Sequence, residues 1–345
     1  MDKQLQNLAL QLNKQKIKKP LLFVIRPSYR CNSRCIMCDF WKNKDSGLEF
    51  NVIKDAIIDA KDLGVKEIRL TGGEPTIYPY FFEIMMLTKD LGMDFSFITN
   101  GFTLSDEIID RVLKYAPKHI HVSIDSSRPE THNKLRGIKS FEKIMGGLEN
   151  LKNKNPNQKI VINYVVNNIN YEHIPELVNL FGGKLFDELN LIPVRSNENL
   201  YLGENQIKHY NEIIVPKIKS EVKDKNVVLR HVNPYVFGSK KDIDESQNAN
   251  YTKNIYEKTD CVVSEYMLFM DSNGAIYPCT NTPYKGNTFL LGNIFEKTIT
   301  EIWESKNHLE KLKSCGDPNF CFSCDPISCQ LNTIFSKKGD KNDQK

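Results

Sequence analysis

Most of the chemistry that can be read from this sequence rests on its nine cysteines. Cys31, Cys35 and Cys38 fall close together as C-x3-C-x2-C, and no further cysteine occurs until Cys261. The other six, Cys261, Cys279, Cys315, Cys321, Cys324 and Cys329, crowd the last quarter of the chain. Scattered core thiols would not cluster in this way, and metal binding is the better reading. At the first spacing, three thiolates can bind three irons of a [4Fe–4S] cube and leave the fourth iron open. An open position is what separates a catalytic metal site from a structural one. A zinc site and a cluster closed by a distant cysteine are the competing readings, although zinc sites more often use paired C-x2-C hooks.

These cysteines need elements to hold them. From residue 21 to about 220, short apolar runs alternate with amphipathic stretches, the pattern of βα units around a parallel sheet. Strands are expected at Leu21–Arg26, Glu67–Leu70, Asp94–Thr99, His119–Ile124, Lys159–Val166 and Glu188–Pro193. Apolar faces of period 3.6, such as Ile53, Ala56, Ile57 and Ala60, mark the helices between them. Two of these helices end in the same phrase, at Asp62-Leu63-Gly64 and Asp90-Leu91-Gly92, each glycine suited to a left-handed C′ position.

Six strands are too few for a closed eight-stranded barrel. The expected fold is therefore α/β, a partial (β/α)6 barrel with a small C-terminal cysteine-bearing domain. On this reading residues 1–20 are an N-terminal extension, 21–221 the partial barrel and 222–260 a polar connection. Residues 261–335 then form the second unit and 336–345 a disordered tail. The first cysteine group directly follows strand one, at the C-terminal strand ends where such sheets place their active sites.

Composition narrows the function classes. The chain has 345 residues, 40% hydrophobic and 26% charged, with a formal net charge of +4. Its lysines are scattered, with no basic stripe interleaved with aromatics, which speaks against a nucleic-acid partner. No run approaches the ~18 consecutive apolar residues of a membrane span, and the N-terminus lacks the apolar core of a signal peptide. No membrane association and a cytoplasmic location are expected.

The phrase CNSRCIMC, residues 31–38, resembles the signature of radical S-adenosylmethionine (SAM) enzymes. Thr71-Gly72-Gly73-Glu74-Pro75 closes strand two, and in that family such a turn contacts the amino group of SAM. Bare glycines allow close backbone approach, and Glu74 can accept from an ammonium. Thr99-Asn100-Gly101 closes strand three, Ser123 and Asp125 close strand four, and Arg136-Gly137 follows in a loop. The resemblance implies SAM-binding roles for Gly72, Gly73, Glu74, Pro75, Asn100, Ser123, Arg136 and Asn167, with Ser123 and Arg136 at its carboxylate or ribose. Asn167 and the Ile192–Arg195 strand end sit where relatives line the adenosine and substrate pocket. Met37 stands where relatives often carry an aromatic, which leaves Phe40 or Trp41, or neither, to stack on adenine.

The late cysteines resemble the SPASM or twitch extension of radical SAM enzymes, which carries auxiliary [4Fe–4S] clusters. MDSNGAIYPC and LGNIFEKTITEIW match that family's hairpin and helix. A full SPASM extension uses seven cysteines for two clusters, and six are present here. The twitch-like expectation is one auxiliary cluster held by Cys261, Cys279, Cys321 and Cys324. Cys315 and Cys329 are then free thiols, ligands of a second cluster, or a catalytic hydrogen donor, with Asp125 a further catalytic candidate. A zinc ribbon is the competing reading for this region.

The implied activity is reductive cleavage of SAM to a 5′-deoxyadenosyl radical, which abstracts hydrogen from a substrate. A flavodoxin- or ferredoxin-type donor would supply the electron. A small polar substrate (a sugar, aminocyclitol or related metabolite, undergoing dehydrogenation or epimerisation) is favoured over a peptide, because only 30 residues precede Cys31 and leave no space for a peptide-recognition domain. The alternatives are a peptide or protein maturase and, outside enzymes, an iron–sulfur electron carrier.

Overall fold

The computed structural model describes residues 19–194, 197–230, 261 and 263–315. The six expected strands form within one residue of their expected bounds: β1 Leu22–Ile25, β2 Glu67–Leu70, β3 Asp94–Thr99, β4 His119–Ser123, β5 Ile160–Val166 and β6 Glu188–Pro193. All pair in parallel in chain order. The helices are α1 Phe50–Leu63, α2 Phe81–Asp90, α3 Asp106–Lys114, α4 Pro129–Arg136, α5 Phe141–Lys154, α6 Ile174–Phe181, α7 Glu204–His209 and α8 Val215–Asp224. Gly64 and Gly92 take the left-handed backbone, at φ 118° and 66°, as their repeated phrase requires.

Two findings extend the expected layout. A seventh parallel strand, β7 Val228–Leu229, pairs with β6 inside the stretch expected to be a plain connection. The second cysteine region also adds strands to this same sheet, so its hairpin does not stand apart. Its β8 Met267–Met270 runs parallel to β1, β9 Ala275–Tyr277 returns antiparallel, and β10 Gly292–Asn293 pairs with β9. The result is one open ten-stranded sheet in the order β10-β9-β8-β1-β2-β3-β4-β5-β6-β7. The physical reason lies in β1, which would otherwise expose an unpaired apolar edge; β8 covers it. The Asp271–Gly274 turn has Gly274 at φ 80°, as the DSNG phrase predicts. Helices α9 Ile299–Trp303 and α10 Lys306–Ser314 follow, α9 opened by a reciprocal Thr298–Glu301 capping box. Among the described residues no helix is long and apolar enough to cross a membrane.

The two faces of the sheet differ. Ile68, Leu70, Phe95, Phe97, Ile120, Val122, Ile160, Ile162, Leu189 and Leu191 pack with helix residues such as Ile57, Ile109 and Leu177 into one core. Because side chains alternate along a strand, the inner face, away from the helices, carries the other set: Glu67 and Arg69, Ser96 and Ile98, His119 and His121, Val161, Asn163 and Val165, and Glu188, Asn190 and Ile192. A parallel strand buried on both faces ordinarily reads as continuous apolar sequence, so this polar set calls for an explanation.

Candidate active site

The cysteine loop is fastened to its neighbours by backbone contacts. Gly73 N–H donates to Ser28 O at 3.1 Å and Glu74 N–H to Arg30 O at 2.8 Å, which lays the turn after β2 against the residues that lead into Cys31. A Cβ on Gly73 would stand 2.1 Å from Arg30 O and 2.4 Å from Tyr29 O, so only glycine fits there. On the other side, Arg34 N–H donates to Arg136 O and Ile36 N–H to Leu135 O, both at 3.0 Å. A Cβ on Gly137 would approach Arg34 O to 2.2 Å.

Within this frame Cys35 is buried and Cys31 and Cys38 are half-buried. Burial is the main cause that pushes the Cys31 and Cys38 thiols up, and neighbouring thiolate charge adds to it: Cys35 and Cys38 act on Cys31, and Cys35 on Cys38. Three mutually repelling thiolates are stable together only if cations sit between them, as cluster irons would. The donor set therefore fits an iron–sulfur cluster. No three His, Cys, Asp or Glu side chains among the described residues converge as they would on a single ion; cluster thiolates each bind a different iron and stand wider apart.

Polar groups around the thiols are already directed at them. Ser33 N–H donates to Cys31 Sγ at 3.4 Å, Asn100 Nδ2 lies 3.9 Å from the same sulfur, and an Arg136 guanidinium nitrogen lies 3.8 Å from Cys35 Sγ. Donors to cluster sulfurs tune potential and hold ligand orientation.

Other candidates lie near the site, each held by partners of its own. Glu74 is buried, and its carboxylate is fully engaged: Oε1 accepts from Thr76 N–H (3.1 Å), Thr76 Oγ1 (2.6 Å) and Thr99 Oγ1 (2.7 Å), and Oε2 from Asn100 N–H (2.6 Å). These four donors tie the ends of β2 and β3 together through one buried carboxylate. Burial raises its pKa against these bonds. Gly72 and Pro75 complete the same turn, Gly72 at φ 135°.

Arg136 is 8% exposed and pairs with Asp125 at 2.7 Å, close as charges though not aligned as a hydrogen bond. Asp125 is wholly buried, its other oxygen accepting from Val165 N–H at 2.8 Å. Burial lifts its carboxyl above the usual range, and Arg136 offsets part of that. Asp125 thus has no face for a substrate and acts by holding Arg136. Asn167 is wholly buried too, bonded to Val165 O and Ile169 N–H, and it shapes the loop after β5 instead of lining a pocket. Ser123 remains half-exposed at the end of β4. Phe40 packs edge-on against Tyr29 and lies 4.4 Å from the Arg26 guanidinium, and Trp41 donates to Cys35 O at 3.3 Å. Met37 is buried with Cys35, Leu135 and Val194.

In the second region Cys261 and Cys315 pack against one apolar cluster of Val24, Phe269, Ala275, Tyr277 and Phe289. Cys279 follows β9, with its sulfur 3.8 Å from Thr282 Oγ1. Cys321, Cys324 and Cys329, as well as Arg195 and the expected tail, lie outside the described residues. A contact that sequence reasoning missed joins the two cysteine regions. Arg26, at the end of β1, lies 3.3 Å from both carboxylate oxygens of Asp271 at the end of β8, and Tyr29 O–H donates to the same carboxylate at 3.0 Å. Nothing local in the sequence links residues 245 apart.

A sheet whose first strand leads into a three-cysteine loop, backed by glycine turns and sulfur-directed donors, fits an iron–sulfur cluster held at its strand ends. Comparison with known proteins agrees: the radical SAM superfamily model matches residues 25–181, and the SPASM iron–sulfur cluster-binding domain model matches residues 261–325. The chain is a radical SAM enzyme with a SPASM-type iron–sulfur domain. It is 28% identical over 297 residues to an AdoMet-dependent heme synthase of Methanosarcina barkeri, covering 82% of each chain. It is 29% identical over 214 residues to a probable GTP 3′,8-cyclase of Saccharolobus islandicus, covering 59% of this chain and 68% of that one. In fold it is similar to SuiB of Streptococcus suis bound to S-adenosylmethionine (TM-score 0.67, 20% identity, 95% of this chain and 77% of that one). It is also similar to anSMEcpe with bound AdoMet (TM-score 0.64, 19% identity, 92% and 96%).

Proposed function

We propose that this enzyme uses the 5′-deoxyadenosyl radical to abstract hydrogen from a small polar substrate, a sugar, aminocyclitol or related metabolite, for dehydrogenation or epimerisation. The observation that carries this reading is the inner face of the sheet below the cysteine loop. Arg69, Ser96, His121, Asn163 and Asn190 share it, where an apolar substrate would call for apolar walls. Cluster and SAM together supply the radical. The chain's own residues hold the thiolates (Cys31, Cys35, Cys38), aim donors at them (Asn100, Arg136) and shape the turn at Gly72–Pro75. Cys261, Cys279, Cys321 and Cys324 are assigned to an auxiliary cluster, and Cys329 or Cys315 to the donor that an epimerase needs. A flavodoxin- or ferredoxin-type donor and a cytoplasmic setting complete the reading.

The alternative is a peptide substrate, as in the complex of SuiB with its precursor peptide SuiA; that likeness is one of fold, at 19% identity. Anaerobically reconstituted, reduced enzyme should release 5′-deoxyadenosine and methionine, with the release stimulated by small polyols or amino sugars and not by peptides. Stimulation by peptides alone would overturn the small-substrate reading.

A further inference from the structure

The inner face of the sheet buries polar atoms that the protein leaves unpaired. His121, at the centre of β4, is 2% exposed, and its Nε2 has no hydrogen-bond partner. Asn190, on β6, is 7% exposed; its Nδ2 donates to Asn163 Oδ1 at 3.1 Å while its own Oδ1 has no partner. His119 Nδ1, one rung below His121, is likewise unpaired. A buried polar atom without a partner costs about 1–3 kcal/mol, so three on one face require a reason. Register puts them together: His121 lies beside Val161 of β5, Asn163 is two residues on, and Asn163 pairs with Asn190. The charges of Arg69 on β2 and of Arg230 beyond β7 both act on His121.

The ionic groups of the face are already committed. Arg69 donates to Glu67 at 2.7 Å and to Ser96 Oγ at 3.1 Å, and Lys118 also pairs with Glu67. Arg230 pairs with Glu188, whose Oε1 is 3.8 Å from His119 Nε2. Burial holds both imidazoles neutral: the His119 pKa is pushed down to about 4, and that of His121 falls well below its usual value. What remains to recognise a ligand is a set of uncharged donors and acceptors.

We infer that His121, Asn190 and Asn163 form a subsite on the inner face of the sheet that binds the uncharged hydroxyl-bearing part of the substrate. This rests on the small-polar-substrate reading and adds to it the residues and the charge state of the group they hold. A phosphate or carboxylate placed there would find no unpaired cation on this face among the described residues and would meet the Glu67 and Glu188 carboxylates.

The test uses reconstituted holoenzyme with myo-inositol, an uncharged ring polyol, as probe and inositol hexakisphosphate as its charged counterpart, read by thermal unfolding at 100 mM and 10 mM respectively. The wild type is expected to gain about 2 °C or more beyond the gain of the His121→Phe and Asn190→Leu variants in the same polyol, since a ligand bound only to the native state raises Tm by mass action. His121→Gln, which keeps polarity, is expected to retain part of the gain and serves if the apolar variants fold poorly. Equal gains in wild type and all variants would mean that the atoms are met by water only, and would overturn the subsite. A larger specific gain with the hexakisphosphate would overturn its neutrality. Without probe, His121→Phe is expected to melt at or above the wild type, and Asn190→Leu, which also removes the bond to Asn163 Oδ1, within about 5 °C of it; a fall of more than about 5 °C in both would mean that these groups are structural, and would overturn the inference. Deoxyadenosine release by the wild type is scored separately. Its absence would defeat the proposed reaction and leave the polyol result standing.

Discussion

Replacing Arg136 by Met tests whether the Asp125–Arg136 pair is what holds the cluster loop in place. Arg136 is 8% exposed and stands 2.7 Å from a wholly buried carboxylate. In the variant, Asp125 keeps one donor, Val165 N–H at 2.8 Å, and loses its only close cation among the described residues. Leaving one member of a buried ion pair unpaired costs about 3–5 kcal/mol. At about 2 °C per kcal/mol for a chain of this size, the melting temperature of the holoenzyme should fall by about 6–10 °C at pH 8. The pH dependence has a definite sign. Burial already holds the folded-state pKa of Asp125 above its usual value, and loss of Arg136 raises it further. A carboxyl whose folded pKa lies above its unfolded one favours the native state while protonated, and loses that contribution as pH rises through the folded pKa. The deficit of Arg136→Met should therefore shrink as pH is lowered from 8 to 6. The double variant Asp125→Leu/Arg136→Met should recover most of it, because neither charge is then stranded. Differential scanning calorimetry at the two pH values reads all three quantities. Wild-type stability in Arg136→Met at pH 8, or a deficit that does not change with pH, would refute the argument.

Gly73→Ala should displace the Tyr29–Arg30 backbone, because its Cβ would lie 2.1 Å from Arg30 O; iron content should drop by about four per chain, while Gly92→Ala, with open space around it, keeps full content. Asn100→Ala removes the amide nitrogen 3.9 Å from Cys31 Sγ and should shift the midpoint potential and EPR signal of the SAM-binding cluster; an unchanged potential would exclude a tuning role. Iron and sulfide analysis of the wild type should give about eight irons for one auxiliary cluster and about twelve for two, and Cys31→Ala should lower either figure by about four. Asp271→Asn should weaken the hold of the second cysteine region on β1 and lower Tm by several degrees, since the buried Arg26 guanidinium loses its charged partner.

The strand bounds, the C′ glycines and the cysteine spacing were legible in the sequence because each depends on residues within a few positions of one another. CNSRCIMC and the TGGEP turn mark one end of a sheet by local chemistry alone, and the alternation in His119–Ser123 or Glu67–Leu70 was also there to read as period-2 polarity. Its meaning was not, since a polar residue in a strand faces either solvent or the buried interior, and only tertiary packing decides which. Tertiary structure likewise decided that Glu74 is bonded by Thr76, Thr99 and Asn100, that Asp125 pairs with Arg136, and that β8 lies against β1 with Asp271 reaching Arg26. Each of these depends on groups that the fold brings together from distant parts of the chain. The sequence alone determined that three thiols stand ready for a cluster beside a glycine turn. The fold decided which polar groups are already satisfied and which remain unpaired on the inner face, because a side chain's hydrogen-bonding partners are set by what packs against it.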